Sequence, residues 1–586
     1  MKQIESKIMG TEFIVRFLKN HAAVSHVFTY AGGTSAWLLD AIAQSENIEV
    51  MPMRHEQNAA FAADGYARVS GRLGVAATMS GPGATNLVTG IADAFFDSIP
   101  VLFLTSQVTT GTYKFDRPVR QLGYQETDIV SIVKPITKSA KMLTNATDMV
   151  NEFRKGIGVA SSGRPGPILI DIPSDVQRLE VLESELSIAP TLDLGRAASE
   201  IEVKAALELI NASTRPILLV GGGVRTSNTQ KLLIEFAECF QIPVVVSLMG
   251  KDSFPNDHPL FVGFIGSYGN RYANLALANC DLVIALGSRM DSRQTANPKT
   301  FARSAKKIHV EIDKNELNNT VICEVSINAH LKSFFEKALQ KSLSQEKNKY
   351  CDWLKYIREV KTEFLNEDFG SDELINPKAF LRRLSEMTNG NEVFLPDVGN
   401  HQMWSAQELK IKENQRFLTS GGLGTMGFAI PAGIGAHFAC RDLPIIALVG
   451  DGGFQMSIPE LQTIAHNQVP IKIIVFNNQI LGLMWHFQSE NFISGRHPAT
   501  EEGYSCPDVQ KIASAYGISS RKIEDNDSVE NAIQWLLSTH GPAILELCIH
   551  PSWAGYPKIK PGNPLEVQIP EVEKERLARY MLIPMV

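Results

Sequence analysis

Cysteine is scarce and scattered: seven in 586 residues, at 239, 280, 323, 351, 440, 506 and 548, with no CxxC pair. That excludes a disulfide framework or a thiolate zinc site, and suggests free thiols in a reducing compartment, hence a cytoplasmic protein. Positive charge is not in surplus. Lys and Arg number 56 against 63 Asp and Glu, a net charge of −7, which argues against nucleic acid as the main partner. Long apolar runs are missing too, none approaching the ~18 residues of a membrane span. The opening MKQIESKIMGTEFIVRFLKN carries charge throughout and lacks the apolar core of a signal peptide. No GxGxxG occurs. What remains is an ordinary globular composition, 44% hydrophobic and 20% charged, with length for three or four domains at roughly 150 residues each.

The most informative stretch runs from Pro444 to Gln479. Ile445 to Val449 reads as a buried parallel strand ending in Gly450-Asp451-Gly452, followed by Gly453. Ser457-Ile458-Pro459-Glu460 spells a capping box, predicting a helix start there. A second apolar run, Ile471 to Phe476, ends in Asn477-Asn478. Strand, helix and strand make a βαβ unit whose crossover leaves both strands parallel. Asp451 and Asn478 then emerge at one carboxyl edge, where open α/β sheets bind ligands. A carboxylate beside an amide oxygen suits Mg²⁺, which completes its octahedron with phosphates and water. Each half alone could be turn chemistry.

In the first third, short strands alternate with helices, arguing a parallel sheet covered on both faces. Val27 to Tyr30 runs into Ala31-Gly32-Gly33, and an extended segment, Ile48 to Met53, leads to Arg54-His55-Glu56 and a small-residue helix. Glu56 sits at a strand end beside a helix start, where an acid favours the helix dipole. Val75 to Met79 meets the glycine turn Ser80-Gly81-Pro82-Gly83-Ala84-Thr85-Asn86. In the middle third, Pro216 to Val220 ends in Gly221-Gly222-Gly223, Asp281 to Leu286 in Gly287-Ser288-Arg289 with Arg293 beyond, and Lys307 to Ile312 in Asp313. Amides and arginines for phosphate with a carboxylate for ribose make a nucleotide site reasonable; turns with surface arginines are the alternative. Residues 176–195 and 345–375 read as linkers.

The ordered set of motifs resembles the thiamin diphosphate (ThDP) enzymes, whose signature is GDG, about two dozen residues, then NN; here residues 453–476 intervene. RHEQxAAxxADGYAR, SGPGATN, DVGNHQMW and SGGLGTMGF are similar to the acetolactate synthase group over residues 8–565. The resemblance implies an α/β chain of three doubly wound parallel-sheet domains: pyrimidine-binding (1–180), central FAD- or nucleotide-binding-like (196–345) and diphosphate-binding (372–550), with a tail (551–586) that folds over the active site in the family.

It also implies site residues. Asp451, Asn478 and the main chain of Ile480 would hold Mg²⁺. Gly32, Glu56, Ser80, Asn86, Gly399, His401, Gln402, Gly424, Met426, Gly450, Asp451, Gly452, Gly453 and Asn478 would hold ThDP, with Met426 propping its bent shape. Glu56 would share a proton with the aminopyrimidine, and Gln107 and Gln125 would join it at the reacting centre. LMG at 248–250, GSYG at 266–269 and Gly287–Thr295 are similar to flavin contacts of these synthases. FAD is therefore expected on Arg164, Gly221, Gly222, Gly223, Leu248, Met249, Gly266, Gly269, Gly287, Arg289, Arg293 and Asp313, with Tyr268 where the family has His. Tyr124, Lys138, His486 and Phe487 would face substrate.

The implied activity is decarboxylation of pyruvate and transfer of its two-carbon unit to a second carbonyl, by a homodimer or homotetramer, with a regulatory small subunit as a possible partner. Phe487 stands where the family has Trp, and Met484, Trp485 and His486 also depart from its pattern. That leaves two acceptors open: pyruvate, giving acetolactate for branched-chain amino-acid synthesis, or a larger carbonyl such as a keto sugar nucleotide or aldehyde. Pyruvate oxidase is a redox rival. A non-enzymatic scaffold would need broken chemistry, yet Glu56, Asp451 and Asn478 are all present.

Overall fold

The computed structural model describes residues 6–341, 349–371, 373–495 and 497–585. The expected domain limits at 1, 345, 372 and 586 lie outside the described residues. Three six-stranded parallel sheets, each flanked by helices, form the frame. The first contains β1 (His26–Tyr30), β2 (Glu49–Pro52), β3 (Gly74–Thr78), β4 (Val101–Gln107), β5 (Ser139–Met142) and β6 (Ile168–Pro173), in the order β2-β1-β3-β4-β6-β5. The second contains β7 (Pro216–Val220), β8 (Val244–Val246), β9 (Phe261–Phe264), β10 (Leu282–Leu286), β11 (Lys306–Glu311) and β12 (Val325–Asn328), ordered β9-β8-β7-β10-β11-β12. The third contains β13 (Val393–Pro396), β14 (Arg416–Phe417), β15 (Ile445–Gly450), β16 (Lys472–Asn477), β17 (Ser519–Ile523) and β18 (Ala543–Cys548), ordered β14-β13-β15-β16-β18-β17.

The first and third sheets therefore share one strand order, and the middle sheet has another. Central strands such as β15 and β16 are buried along their whole length, as expected for parallel strands covered on both faces. The first and third sheets of one chain are joined by helix α1 (Glu56–Ser70), which packs on a helix at Ala429–Ala439. The two backbones touch: a Cβ on Gly435 would lie 1.8 Å from the Ala62 carbonyl oxygen. One apolar core runs through this junction, from Phe28 and Phe61 to Phe428 and Val475. Between the sheets, the 176–195 segment is more ordered than a linker. Its Glu180–Leu182 strand pairs antiparallel with Lys7–Met9. The 345–375 segment contains a helix, Cys351–Glu363. The tail is folded rather than merely extended: Lys558–Ile559 pairs with Gln568–Ile569, and Arg271 donates to the Pro570 carbonyl at 2.8 Å.

Candidate active site

The βαβ unit at 444–479 forms as read, with Gly450 of β15 paired to Phe476 of β16, so Asp451 and Asn478 leave adjacent strands at one edge. The capping box does not form. Helix α3 (Asp451–Ser457) starts at Asp451 itself, an acid in its first turn. Ser457 ends that helix and donates to the Gly427 carbonyl at 2.9 Å. A new helix, Glu460–Asn467, begins beyond Pro459 without a side-chain cap. Glu460 instead reaches the first domain, accepting from Arg54 N and Asn58 Nδ2, both at 2.9 Å.

A cavity of about 220 Å³ opens at this edge. Gly399, His401, Gly424, Met426, Gly450, Asp451, Gly452, Gly453, Asn478 and Ile480 all line it, ten of the expected cofactor and metal residues in one place. Three helices start at its rim: α3, Asn400–Glu408 and Gly482–Asn491. The positive ends of their dipoles suit an anionic ligand. Asp451 is buried; its Oδ1 accepts from Gly452 N at 3.0 Å, while Oδ2 has no hydrogen-bond partner among the described residues. Burial pushes the Asp451 carboxyl up to about 7. Asn478 Oδ1 accepts from Ile480 N at 3.3 Å. Asn477 is the anchor of the pair: its amide donates to Glu546 at 2.8 Å and its Oδ1 accepts from both nitrogens of Gln479. Gln479 takes φ 59, which turns the chain back at Ile480. A partnerless carboxylate oxygen, an amide side chain and a backbone turn fit Mg²⁺ held together with a diphosphate.

The glycines here have a second duty. Cβ atoms on Gly399 and Gly450 would lie 2.7 and 2.9 Å from the His401 ring, so both make room for that imidazole. His401 is buried, stacked on Phe476 at 5.9 Å, and pushed down to about 3 by burial. It is neutral, and its Nε2 lacks a partner among the described residues. Gln402 does not line the cavity; its amide nitrogen donates to Thr419 Oγ1 at 2.7 Å and to the Ser420 carbonyl at 3.2 Å.

In the first domain, Gly32, Glu56, Ser80, Gln107, Tyr124 and Gln125 all follow or end strands β1 to β4, on the carboxyl edge. Glu56 opens α1 as an acid in its first turn, is 6% exposed, and accepts from Asn86 Nδ2 at 2.9 Å. Ser80 N donates to Thr34 Oγ1 at 3.1 Å. Gln125, with φ 64, packs over Gly81, and Tyr124 is 85% exposed. Gln107 is buried with both amide hydrogens engaged, to the Thr127 carbonyl at 2.8 Å and Asp171 at 3.0 Å, while its oxygen accepts from Val108 N. It has no free donor for a substrate.

Two residues expected to face substrate make other contacts within this chain. Lys138 precedes β5 and so sits at the amino edge, opposite Glu56; its ammonium donates to the Val159 and Ser162 carbonyls at 2.5 and 2.6 Å, closing a helix C-terminus. His486 is not on the surface. It lies buried with Nδ1 2.6 Å from the Gly482 carbonyl and 3.2 Å from Asn400 Nδ2. Neither His486 nor Phe487 lines the cavity; Leu483 and Met484 do.

The expected flavin residues of the second sheet, Gly221 to Gly223, Leu248, Met249, Gly266, Gly269, Gly287, Arg289, Arg293 and Asp313, gather at its carboxyl edge. Strand order reverses there between β7 and β10, the position where such sheets bind nucleotides. Arg164 joins them from the first domain, 3.3 Å from Asp313 and 2.8 Å from Glu316. Arg293 stands over the Tyr268 ring at 5.5 Å. The glycines pack on each other, however: Gly223 N donates to the Gly287 carbonyl at 3.0 Å, and a Cβ on Gly221 would lie 2.1 Å from that oxygen.

Several carboxylates that shape the site escape motif reading. Asp397, buried and pushed up to about 7, accepts from Gly427 N at 2.9 Å. Asp93 and Asp97 accept from the Ser420–Thr425 loop. The available signal was two acids in the last turns of an apolar helix, against its dipole.

Residues 8–132 match the N-terminal TPP binding domain of thiamine pyrophosphate enzymes, 203–338 their central domain and 397–547 their C-terminal TPP binding domain. The chain is 37% identical over 567 residues to a probable acetolactate synthase large subunit of Methanocaldococcus jannaschii, covering 95% of this chain and 94% of that protein. It is 36% identical to the acetolactate synthase large subunit of Lactococcus lactis, over 96% of both. To the large subunit of acetolactate synthase isozyme 2 of Escherichia coli it is also 36% identical, over 94% of this chain and 98% of the other. Among the described residues no helix is long and apolar enough to cross a membrane. The chain thus belongs to the thiamine pyrophosphate enzymes, alongside the acetolactate synthase large subunits, and is a ThDP-dependent carboligase.

Proposed function

We propose that the chain decarboxylates pyruvate and joins the two-carbon unit to a second pyruvate, forming 2-acetolactate. The observation that carries the reading is Asp451 Oδ2, a buried carboxylate oxygen without a partner among the described residues, in a cavity rimmed by helix N-termini. Bound ThDP supplies a nucleophilic ring carbon able to take up the carbon skeleton of a 2-ketoacid as carbon dioxide leaves. Asp451, Asn478 and the Ile480 carbonyl would hold Mg²⁺ and through it the diphosphate. Met426 would set the bend of the cofactor from the cavity wall. Glu56, kept from water and oriented by Asn86, would hold the proton at its free carboxyl oxygen.

Every residue lining the cavity falls between 398 and 549. Glu56 is not among them, which supports a homodimer in which Glu56 of one chain faces the cavity of another. The large-subunit names of the relatives support a small regulatory partner. FAD at the β7–β10 switch rests on the placement of Arg164, Arg289, Arg293 and Tyr268, as a structural rather than electron-carrying group, since the carboligation has no net redox change. The domain limits 1–180, 196–345, 372–550 and 551–586 are part of the same proposal. The larger acceptor is not favoured, because the relatives matched over nearly the whole chain are named acetolactate synthase large subunits. The test is product analysis after incubation with ThDP, Mg²⁺, FAD and pyruvate alone. Acetolactate is expected; carbon dioxide without acetolactate would require another acceptor.

A further inference from the structure

Helix α2 (Val88–Asp97) of the first domain carries two carboxylates in its last turns, Asp93 and Asp97, both buried. Both grip the third domain's Ser420–Thr425 loop. Asp97 accepts from Gly422 N at 2.6 Å and from Gly421 N at 3.0 Å. Asp93 Oδ1 accepts from Ser420 Oγ and, at 2.9 Å, from Thr425 Oγ1, and its Oδ2 has no partner among the described residues. Arg68 completes the grip, donating to Asp64 at 2.6 Å, Asp97 at 2.9 Å and the Thr419 carbonyl at 3.0 Å. The central domain closes the third side: a Cβ on Gly421 would lie 2.2 Å from Met249 Sδ. The loop so held runs directly into Gly424 and Met426 on the cavity wall. All three domains of one chain thus meet on a single turn of backbone.

We propose that Asp93 and Asp97 are positioning residues, by which the first domain sets the register of the loop that presents Gly424 and Met426 to ThDP. This rests on the reading that Met426 faces that cofactor. Two backbone N–H groups bonded to one carboxylate fix a loop in distance and in rotation, and charge-assisted bonds of this kind are the strong ones. The two acids differ in what their amides could replace. Asp93 uses one oxygen for both hydroxyls, so an asparagine keeps that oxygen and puts its NH₂ where Oδ2 has no partner. Asp97 uses both oxygens as acceptors, so an asparagine sets an N–H donor against Gly421 N, Gly422 N or Arg68. The raised Asp93 carboxyl, from burial and the nearby Asp97 and Asp64, agrees with a proton on Oδ2.

The experiment is a titration of Mg²⁺-loaded enzyme with ThDP, read as the concentration giving half-maximal acetolactate formation, beside the melting temperature of each cofactor-free variant. Asp97→Asn and Asp93→Ala should raise the half-saturating ThDP at least tenfold, and Asp93→Asn at least threefold less than Asp93→Ala. A purely structural role predicts instead that half-saturation tracks melting temperature and that both asparagine variants behave alike. Should Asp97→Asn fail to fold, Thr425→Val removes a donor from the opposite side with little change of shape and should raise half-saturation severalfold. An unchanged value in Asp97→Asn, or in Thr425→Val where that is the variant that folds, overturns the proposal if Met426→Ala raises it. If Met426→Ala is also unchanged, the placement of Met426 against the cofactor falls with it.

Discussion

The carboxyl edges of the second and third sheets are both rich in glycine, yet differ in what those glycines enclose. On the third sheet, Gly399 and Gly450 admit the His401 ring and leave a cavity behind it with Asp451 Oδ2 and His401 Nε2 unpartnered among the described residues. On the second, Gly221 and Gly223 lie against Gly287, backbone on backbone. Glycine density therefore marks close approach but not what approaches. A buried acceptor with no protein donor is the better sign of a ligand site, because leaving such a group unpaired costs about 1–3 kcal/mol.

The comparison is sharpened first at the reacting centre. Glu56→Gln keeps the size of the side chain and its contact with Asn86 but cannot exchange a proton. Turnover should fall ~10²- to 10⁴-fold while ThDP binding persists; a variant as active as the parent removes Glu56 from the chemistry. A smaller effect separates the two glycine-rich edges. Gly450→Ala would press on His401 and should weaken ThDP binding about tenfold, within an overpacking penalty of ~1–3 kcal/mol. Gly221→Ala would strike the Gly287 carbonyl and should cost a similar ~1–3 kcal/mol of stability with ThDP affinity retained. Equal losses of ThDP affinity in both would erase the distinction between the edges.

The smallest expected effect concerns pH. Asp171, buried beside Thr105 and Gln107, is pushed up to about 7 by desolvation from an ordinary 3.8. The folded chain keeps this proton where the unfolded chain has released it, so its contribution to stability declines as pH rises from about 4 to 7. The slope is at most ~1.4 kcal/mol per pH unit. Asp171→Asn should flatten the fall in melting temperature between pH 5 and 7.5; an unchanged slope would place the pH dependence elsewhere.

Much of this was legible in the sequence because parallel α/β sheets convert chain order into position. Once Ile445–Val449 and Ile471–Phe476 are read as parallel neighbours, Asp451 and Asn478 must share an edge. The same rule places Lys138 correctly when applied: it precedes its strand, so it lies at the opposite edge, whatever motif it resembles. The capping box failed because its two side chains are engaged elsewhere, Ser457 on the Gly427 carbonyl and Glu460 on Arg54 N and Asn58, so the helix beyond Pro459 starts without a side-chain cap. His486 failed for a different reason. Its spacing on the helix did not reveal that Asn400 and the Gly482 carbonyl would enclose it. The grip of Asp93 and Asp97 joins residues over three hundred positions apart, and only folding brings them together.

The most direct test is calorimetric titration of Mg²⁺ and ThDP into the wild-type chain and into Asp451→Ala, with melting temperatures to confirm that both are folded. The account predicts that the wild type binds and that Asp451→Ala, lacking the partnerless carboxylate oxygen, loses at least a hundredfold in ThDP affinity. Equal affinity in the two would mean that the cation and diphosphate are held elsewhere, and the assignment of the cavity would be wrong.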